Sequence, residues 1–130
     1  MDRDVHEHRV QTRWTDFDAL GHLTNSVAFA YLDEARDALL TSLVGTFDDW
    51  PNVVARVEAD FRREIARGPR ELVVRTRVVE VGRSSVRFAQ ELLGPDGEVA
   101  VASATVVVAF DLQTRTSRPI AEAERARLSA

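Results

Sequence analysis

Residues 12–36 read TRWTDFDALGHLTNSVAFAYLDEAR, and the order of patterns inside this stretch sets the architecture. It leaves a strand-like alternation, crosses a short polar turn and enters a helical repeat. Asp16, Asp18, Gly21, His22, Thr24 and Asn25 all fall between positions 16 and 25. A helix N-terminus offers backbone N–H donors without intrahelical acceptors and the positive end of a dipole. A carboxylate held beside it can act as a base or as a nucleophile. The turn therefore has the parts needed for attack on a carbonyl.

Upstream, residues 5–14 (VHEHRVQTRW) alternate. His6, His8, Val10, Thr12 and Trp14 share one side, which is the period of a half-buried strand. Downstream, residues 25–44 carry Ala28, Tyr31, Leu32, Ala35, Leu39 and Leu43 at three- and four-residue spacing, which predicts one amphipathic helix. Thr24 or Asn25 can cap it and Gly45 can end it. Asp33, Glu34, Arg36 and Asp37 are read among its solvated positions. Twenty residues at ~1.5 Å each make it about 30 Å long, enough to be a single central helix.

After a loop at 46–52, four strand-like runs follow at 53–63, 71–81, 85–93 and 98–110. The first places Val53, Ala55, Val57, Ala59 and Phe61 on one face. Gly94-Pro95-Asp96-Gly97 is a hairpin turn signal. The last run, EVAVASATVVVAF, is apolar on both faces over much of its length, as a strand inside a sheet is. The tail from Asp111 is polar, with a short helix at 121–128.

This order describes one α+β domain over residues 1–130, with a mostly antiparallel five-stranded sheet and its helix on one face. One helix of ~10–12 Å diameter cannot cover five strands ~4.8 Å apart. Open edges also need protection, so a homodimer or homotetramer is expected.

Composition narrows the function. The net charge of −4 argues against general nucleic-acid binding. All 17 basic residues are arginine, which removes Schiff-base lysine chemistry. The chain has no cysteine, which removes thiolate catalysis and thiolate metal sites. No apolar run reaches the ~20 residues of a membrane span, and MDRDVHEHRV has no signal-peptide core. A cytoplasmic protein is expected. His6 and His8 have metal-ligand spacing on one strand face but no evident third ligand, so no metal is assigned.

The strand, then Trp14 through Asn25, then a helix bearing Tyr31 and Glu34-Ala35-Arg36, resembles the hotdog fold. Within it, the chain is similar to the 4-hydroxybenzoyl-CoA thioesterase family. The match is to an Asp-x-Asp-x-x-Gly-His-Val-Asn-Asn pattern, with Leu23 and Thr24 replacing the Val and the first Asn. Val57–Arg63 and Val81–Ser85 also look like family segments, and the resemblance covers roughly residues 6–118.

It implies a sheet wrapped around the helix, dimers joined sheet edge to sheet edge, and active sites at the dimer interface. The implied substrate is an acyl-CoA thioester, hydrolysed to free acid and CoA without a further cofactor. Asp18 matches the second Asp of the pattern and is the implied catalytic carboxylate; a turn-capping role is its structural alternative. Asp16 is read as a turn or structural residue. The backbone N–H of Asn25, seven residues after Asp18, is the implied carbonyl-polarising donor.

His22 is either an orienting group, an acid toward the leaving thiolate, or a histidine bonded within the turn. Gly21 and Thr24 complete the approach to the helix. Arg62 and Arg63, and the turn Arg83-Ser84-Ser85, are candidates to meet CoA phosphates. Trp50 is read as a core or pocket-wall aromatic, and Phe47 as a further candidate for the acyl pocket wall. An acyl-carrier-protein thioesterase and a non-catalytic acyl-binding protein are the alternative readings.

Overall fold

In the computed structural model, which describes residues 5–129, the chain runs β1 (His6–Gln11), a 3-10 turn (Trp14–Asp16), α1 (Asn25–Val44), β2 (Asn52–Phe61), β3 (Glu71–Val81), β4 (Ser85–Leu93), β5 (Val99–Asp111), β6 (Thr116–Ser117) and α2 (Glu122–Ser129). The sheet order is β1-β3-β4-β5-β2, antiparallel throughout, with two-residue β6 added beside β5. The five expected strands are therefore joined by a sixth, formed where the polar tail folds back on Phe110 and Asp111.

Helix α1 lies on one face and packs on β1, β3 and β4. Its N-terminal half buries Ala28, Tyr31, Leu32 and Ala35 against Val10, Val74, Leu92 and Val101. Its C-terminal half buries Leu39, Leu40 and Val44 against Val86, Phe88, Val107 and Trp50. Full burial of one Leu, Val or Phe contributes about 1.5–3 kcal/mol, so these two clusters hold the helix in place. Strand register aligns Thr76, Gln90 and Ser103 across β3, β4 and β5. This buried polar row lies among residues of the sheet face beneath α1.

Two expectations change here, for Arg36 and for β2, and the alternatives for Trp50 are decided. Arg36 is buried rather than solvated. Its guanidinium pairs with Asp33 and donates to Gln90 Oε1, and Gln90 in turn donates to Leu32 O and to Thr76. A buried charge is tolerated when it is paired and hydrogen-bonded.

Trp50 is packed within the cluster at the C-terminal end of α1. Of its two readings, Trp50 takes the core one, at the end of α1 away from Asn25. In β2, a bulge between Val54 and Arg56 inserts Ala55 as an extra residue. A bulge shifts the alternation by one, so Val54, opposite buried Val107, shares a face with Val57, Ala59 and Phe61, while Val53 turns to the other side.

Candidate active site

The turn before α1 is a closed loop built from its own backbone. Phe17 bridges Leu23, and Asp18 N donates to His22 O at 2.9 Å. Gly21 N donates to Asp18 O at 2.9 Å, which makes 18–21 a β-turn. Gly21 sits at φ +78, where a side chain would be strained. Thr24 N donates to Asp16 O at 3.0 Å, so the loop closes immediately before the helix begins.

Asp18 is exposed. Its Oδ1 accepts the N–H groups of Leu20 (2.9 Å) and His22 (3.1 Å). These bonds engage one carboxylate oxygen with the turn and give Asp18 the capping geometry of its structural alternative. Oδ2 accepts no protein hydrogen bond among the described residues. The His22 N–H, foremost, lowers the Asp18 pKa below the ordinary 3.8 against an opposing effect of desolvation; the Leu20 N–H and the charges of His22 and Arg67 add to the lowering. The group is an anion at neutral pH.

Asp16 has the opposite environment. It is 2% exposed, accepts the Tyr31 hydroxyl on Oδ2 and the Arg13 N–H at 2.9 Å, and lies 3.5 Å from the Arg13 guanidinium. Burial pushes its pKa up, but the Tyr31 and Arg13 hydrogen bonds and the Arg13 charge outweigh it and hold the group below its usual value. The Tyr31 phenol is pushed well up, by burial and then by Asp16. Asp16 is thus a structural anchor between the turn and α1.

The helix N-terminus is open. Thr24 is the N-cap residue, but its side chain makes no capping hydrogen bond. Its carbonyl receives Val27 N and Ala28 N. The Asn25 and Ser26 N–H groups precede Val27 N, the first donor that bonds within the helix. The expectation of a side-chain cap is therefore not met, and among the described residues the donor at the first helical position has no protein acceptor. Asn25 lines a cleft of about 160 Å³ with Phe61, Arg62, Arg63, Ile65 and Val101. Phe29 of α1 meets Phe61 edge to face at 5.7 Å, which gives this region an aromatic flank.

The imidazole of His22 places Nε2 3.2 Å from Glu64 Oε2. Its backbone, not its ring, orients Asp18. Glu64 escaped the sequence reading because nothing in a one-dimensional pattern pairs positions 22 and 64. The Arg67 guanidinium stacks 3.8 Å over the Trp14 ring and donates to Phe17 O at 3.2 Å. Arg62 is exposed, and Arg63 pairs with Asp96 at 3.2 Å.

Arg83, Ser84 and Ser85 do not join this group within one chain. The β3–β4 turn lies at the other end of α1, because the following residues Val86 and Phe88 pack on Leu39, Leu40 and Val44. There Arg83 O accepts Ile120 N, and Arg125 donates to Val81 O and Gly82 O. His6 and His8 stack at 6.5 Å, and His8 bonds Glu34 at 2.7 Å. No group of three metal-ligating side chains occurs among the described residues.

A long helix lying on an antiparallel sheet, with an ionised carboxylate in the turn before an uncapped helix N-terminus, defines a hotdog-type protein equipped for acyl chemistry. Residues 12–128 match the thioesterase-like superfamily, and the chain belongs to that family. It is also similar to a thioesterase from Thermus thermophilus solved with coenzyme A and Zn. That likeness has 33% identity, covers 95% of this chain and 97% of that one, and has a TM-score of 0.86.

A Pseudomonas aeruginosa protein is 25% identical, with 95% and 89% covered and a TM-score of 0.84. A thioesterase-superfamily protein from Jannaschia sp. CCS1 shares the fold at 20% identity, with 98% and 93% covered and a TM-score of 0.88. Among curated proteins, none matches the chain significantly. No helix among the described residues is long and apolar enough to cross a membrane.

Proposed function

We propose that this thioesterase-family chain hydrolyses an acyl-CoA thioester to a carboxylic acid and CoA. The observation that carries the reading is the pairing of one ionised, exposed carboxylate with an uncapped helix N-terminus, seven residues further along the chain. Asp18 Oδ1 is engaged by Leu20 and His22, which leaves Oδ2 to act.

In the general-base route, Oδ2 takes a proton from water while the water oxygen bonds to the thioester carbon. The carbonyl oxygen becomes an oxyanion against the Asn25 N–H. Collapse breaks the C–S bond, the thiolate leaves, and the proton held on Oδ2 passes to the thiolate or to solvent. In the nucleophilic route, Oδ2 itself bonds to the carbon, the thiolate leaves, and water then cleaves the mixed anhydride. Single turnover in ¹⁸O-water bears on the choice: label in Asp18 requires water attack on the Asp18 carbonyl carbon of the anhydride, which the general-base route never forms. The scheme uses no metal or organic cofactor.

The coenzyme A bound by the Thermus thermophilus relative supports CoA as the carrier. The cleft beside Asn25, with Arg62 and Arg63 at its rim, supports substrate approach from that side. Gly21 and Thr24 serve by shaping the turn and presenting the helix end. Phe29 and Phe61 flank the acyl group in this scheme.

The site is completed by a second copy. β2 ends the sheet, α1 packs chiefly on β1, β3 and β4, and Val54, Val57 and Phe61 are exposed. Pairing of two β2 edges gives a dimer that covers this strand, as a homodimer or as half of a homotetramer. A cytoplasmic setting belongs to the same proposal.

The exposed Arg62 also favours a second reading, an acyl carrier protein as donor, because carrier proteins of acidic character suit a basic rim. Thiol release from short, long and aromatic acyl-CoAs, compared with the same acyl groups on carrier protein, tests both. Faster turnover on CoA is expected. Faster turnover on the carrier transfers the assignment, and no turnover on either overturns it.

A further inference from the structure

The hydrogen bonds that shape the Asp18 turn are local: Asp18, Gly21, Leu20 and His22 bond one another. Asp16 ties the start of the loop to α1, and the residues from Asp18 onward are held from another segment. The segment 65–67 runs antiparallel to 21–23: Leu23 N donates to Ile65 O at 2.8 Å, His22 bridges Ala66, and Arg67 N donates to Gly21 O at 2.7 Å. The Arg67 side chain then crosses to the other limb of the loop. Its Nη2 donates to Phe17 O at 3.2 Å and, more weakly, to Trp14 O at 3.4 Å. Its Cζ lies 3.8 Å from the Trp14 ring centroid and 5.6 Å from that of Phe17. One residue therefore grips the carbonyl immediately before Asp18 and the carbonyl at the end of its β-turn.

We propose that Arg67 is the positioning residue of the active-site turn, holding Asp18 in register with the N-terminus of α1. The inference rests on the thioesterase reading for its kinetic consequence but not for its structural one. The planar guanidinium suits the task because it stacks and donates in plane at once, which a lysine ammonium cannot do. Among the described residues Arg67 makes no ion pair, so its charge is not cancelled by a carboxylate partner.

The charged groups around Asp18 are few. His22 lies in its own turn, paired with Glu64. Arg67 approaches from the 65–67 segment. The 3-10 turn contributes the Arg13–Asp16 pair, and the first turn of α1 carries no acidic side chain. Arg67 thus also favours the carboxylate form of Asp18.

The test uses Arg67→Met and Arg67→Lys in the full chain. Arg67→Met is expected to lower kcat by roughly 10²-fold, as misplacement of a reacting group does. KM should change little, and the acid limb of the pH–rate profile should move to higher pH. Arg67→Lys keeps the charge, so it should leave the acid limb in place while recovering only part of kcat.

Wild-type kcat and an unshifted acid limb in Arg67→Met would overturn the proposal. So would equal kcat losses in both variants that follow their loss of thermal stability. Amide exchange supplies a readout independent of activity: residues 18–22 should exchange faster in Arg67→Met than in wild type. If wild type hydrolyses no thioester, the functional reading fails, and unchanged exchange at 18–22 then separately overturns the clamp.

Discussion

Two aspartates two residues apart take different work from their surroundings. Asp16 is buried and anchored by Tyr31 and Arg13; Asp18 is exposed and has one oxygen free of protein partners among the described residues. The Asp-x-Asp spacing and the helix start were legible in the sequence, and the resemblance pointed to the second Asp. The environments that separate them were not, because Tyr31 reaches Asp16 from fifteen residues away on α1.

Both folded-state pKa values are lowered, so each group has its charged-form contribution in full above its unfolded value and loses it as pH falls through the folded value. Tyr31→Phe removes a hydrogen bond to a buried charge and should cost about 1.5–3 kcal/mol. With less lowering at Asp16, acid unfolding followed by circular dichroism should begin at higher pH than in wild type. An unchanged acid midpoint would remove Asp16 from its anchoring role. For Asp18, kcat/KM should fall on the acid side only below the ordinary carboxylate value of 3.8, where the anion is protonated; an acid limb near neutrality would assign the base to another group.

At the scale of elements, α1, β3 and β4 have the bounds that residue periodicity predicts, because apolar spacing and flanking Gly or turn residues speak locally. The β2 bulge at Ala55 was not visible, since the alternation of residues 53–61 reads as unbroken until the register with β5 is known. Arg36 was misread for a related reason: its partner Gln90 lies on another element.

The role of the α1 N-terminus has a direct test. Pro is tolerated at the first helical position, where its missing N–H has no helical partner. The preceding Thr24 already has ψ 135, which suits a residue before proline. Asn25→Pro should therefore fold while lowering kcat by about 10²–10³-fold, the effect of losing one oxyanion donor. Asn25→Ala keeps the N–H and should stay near wild type. Equal activity in the two variants would assign the oxyanion to some other donor.

For the whole molecule, the need for a second copy could be argued from element widths alone, but not which edge it uses. The structure leaves β2 as a ten-residue edge with Val54, Val57 and Phe61 exposed. A lysine on such an edge discourages pairing. Val57→Lys should shift sedimentation toward monomer and lower activity in parallel; full activity in a monomeric variant would place the whole site within one chain.

Asp18→Asn bears on all three scales, because the amide oxygen can still accept the Leu20 and His22 N–H groups while the base is gone. Free-thiol release from an acyl-CoA that the wild type turns over, measured on this variant with its circular dichroism spectrum unchanged, should fall to the uncatalysed rate. Turnover close to wild type would contradict the assignment of Asp18 and with it the proposed mechanism.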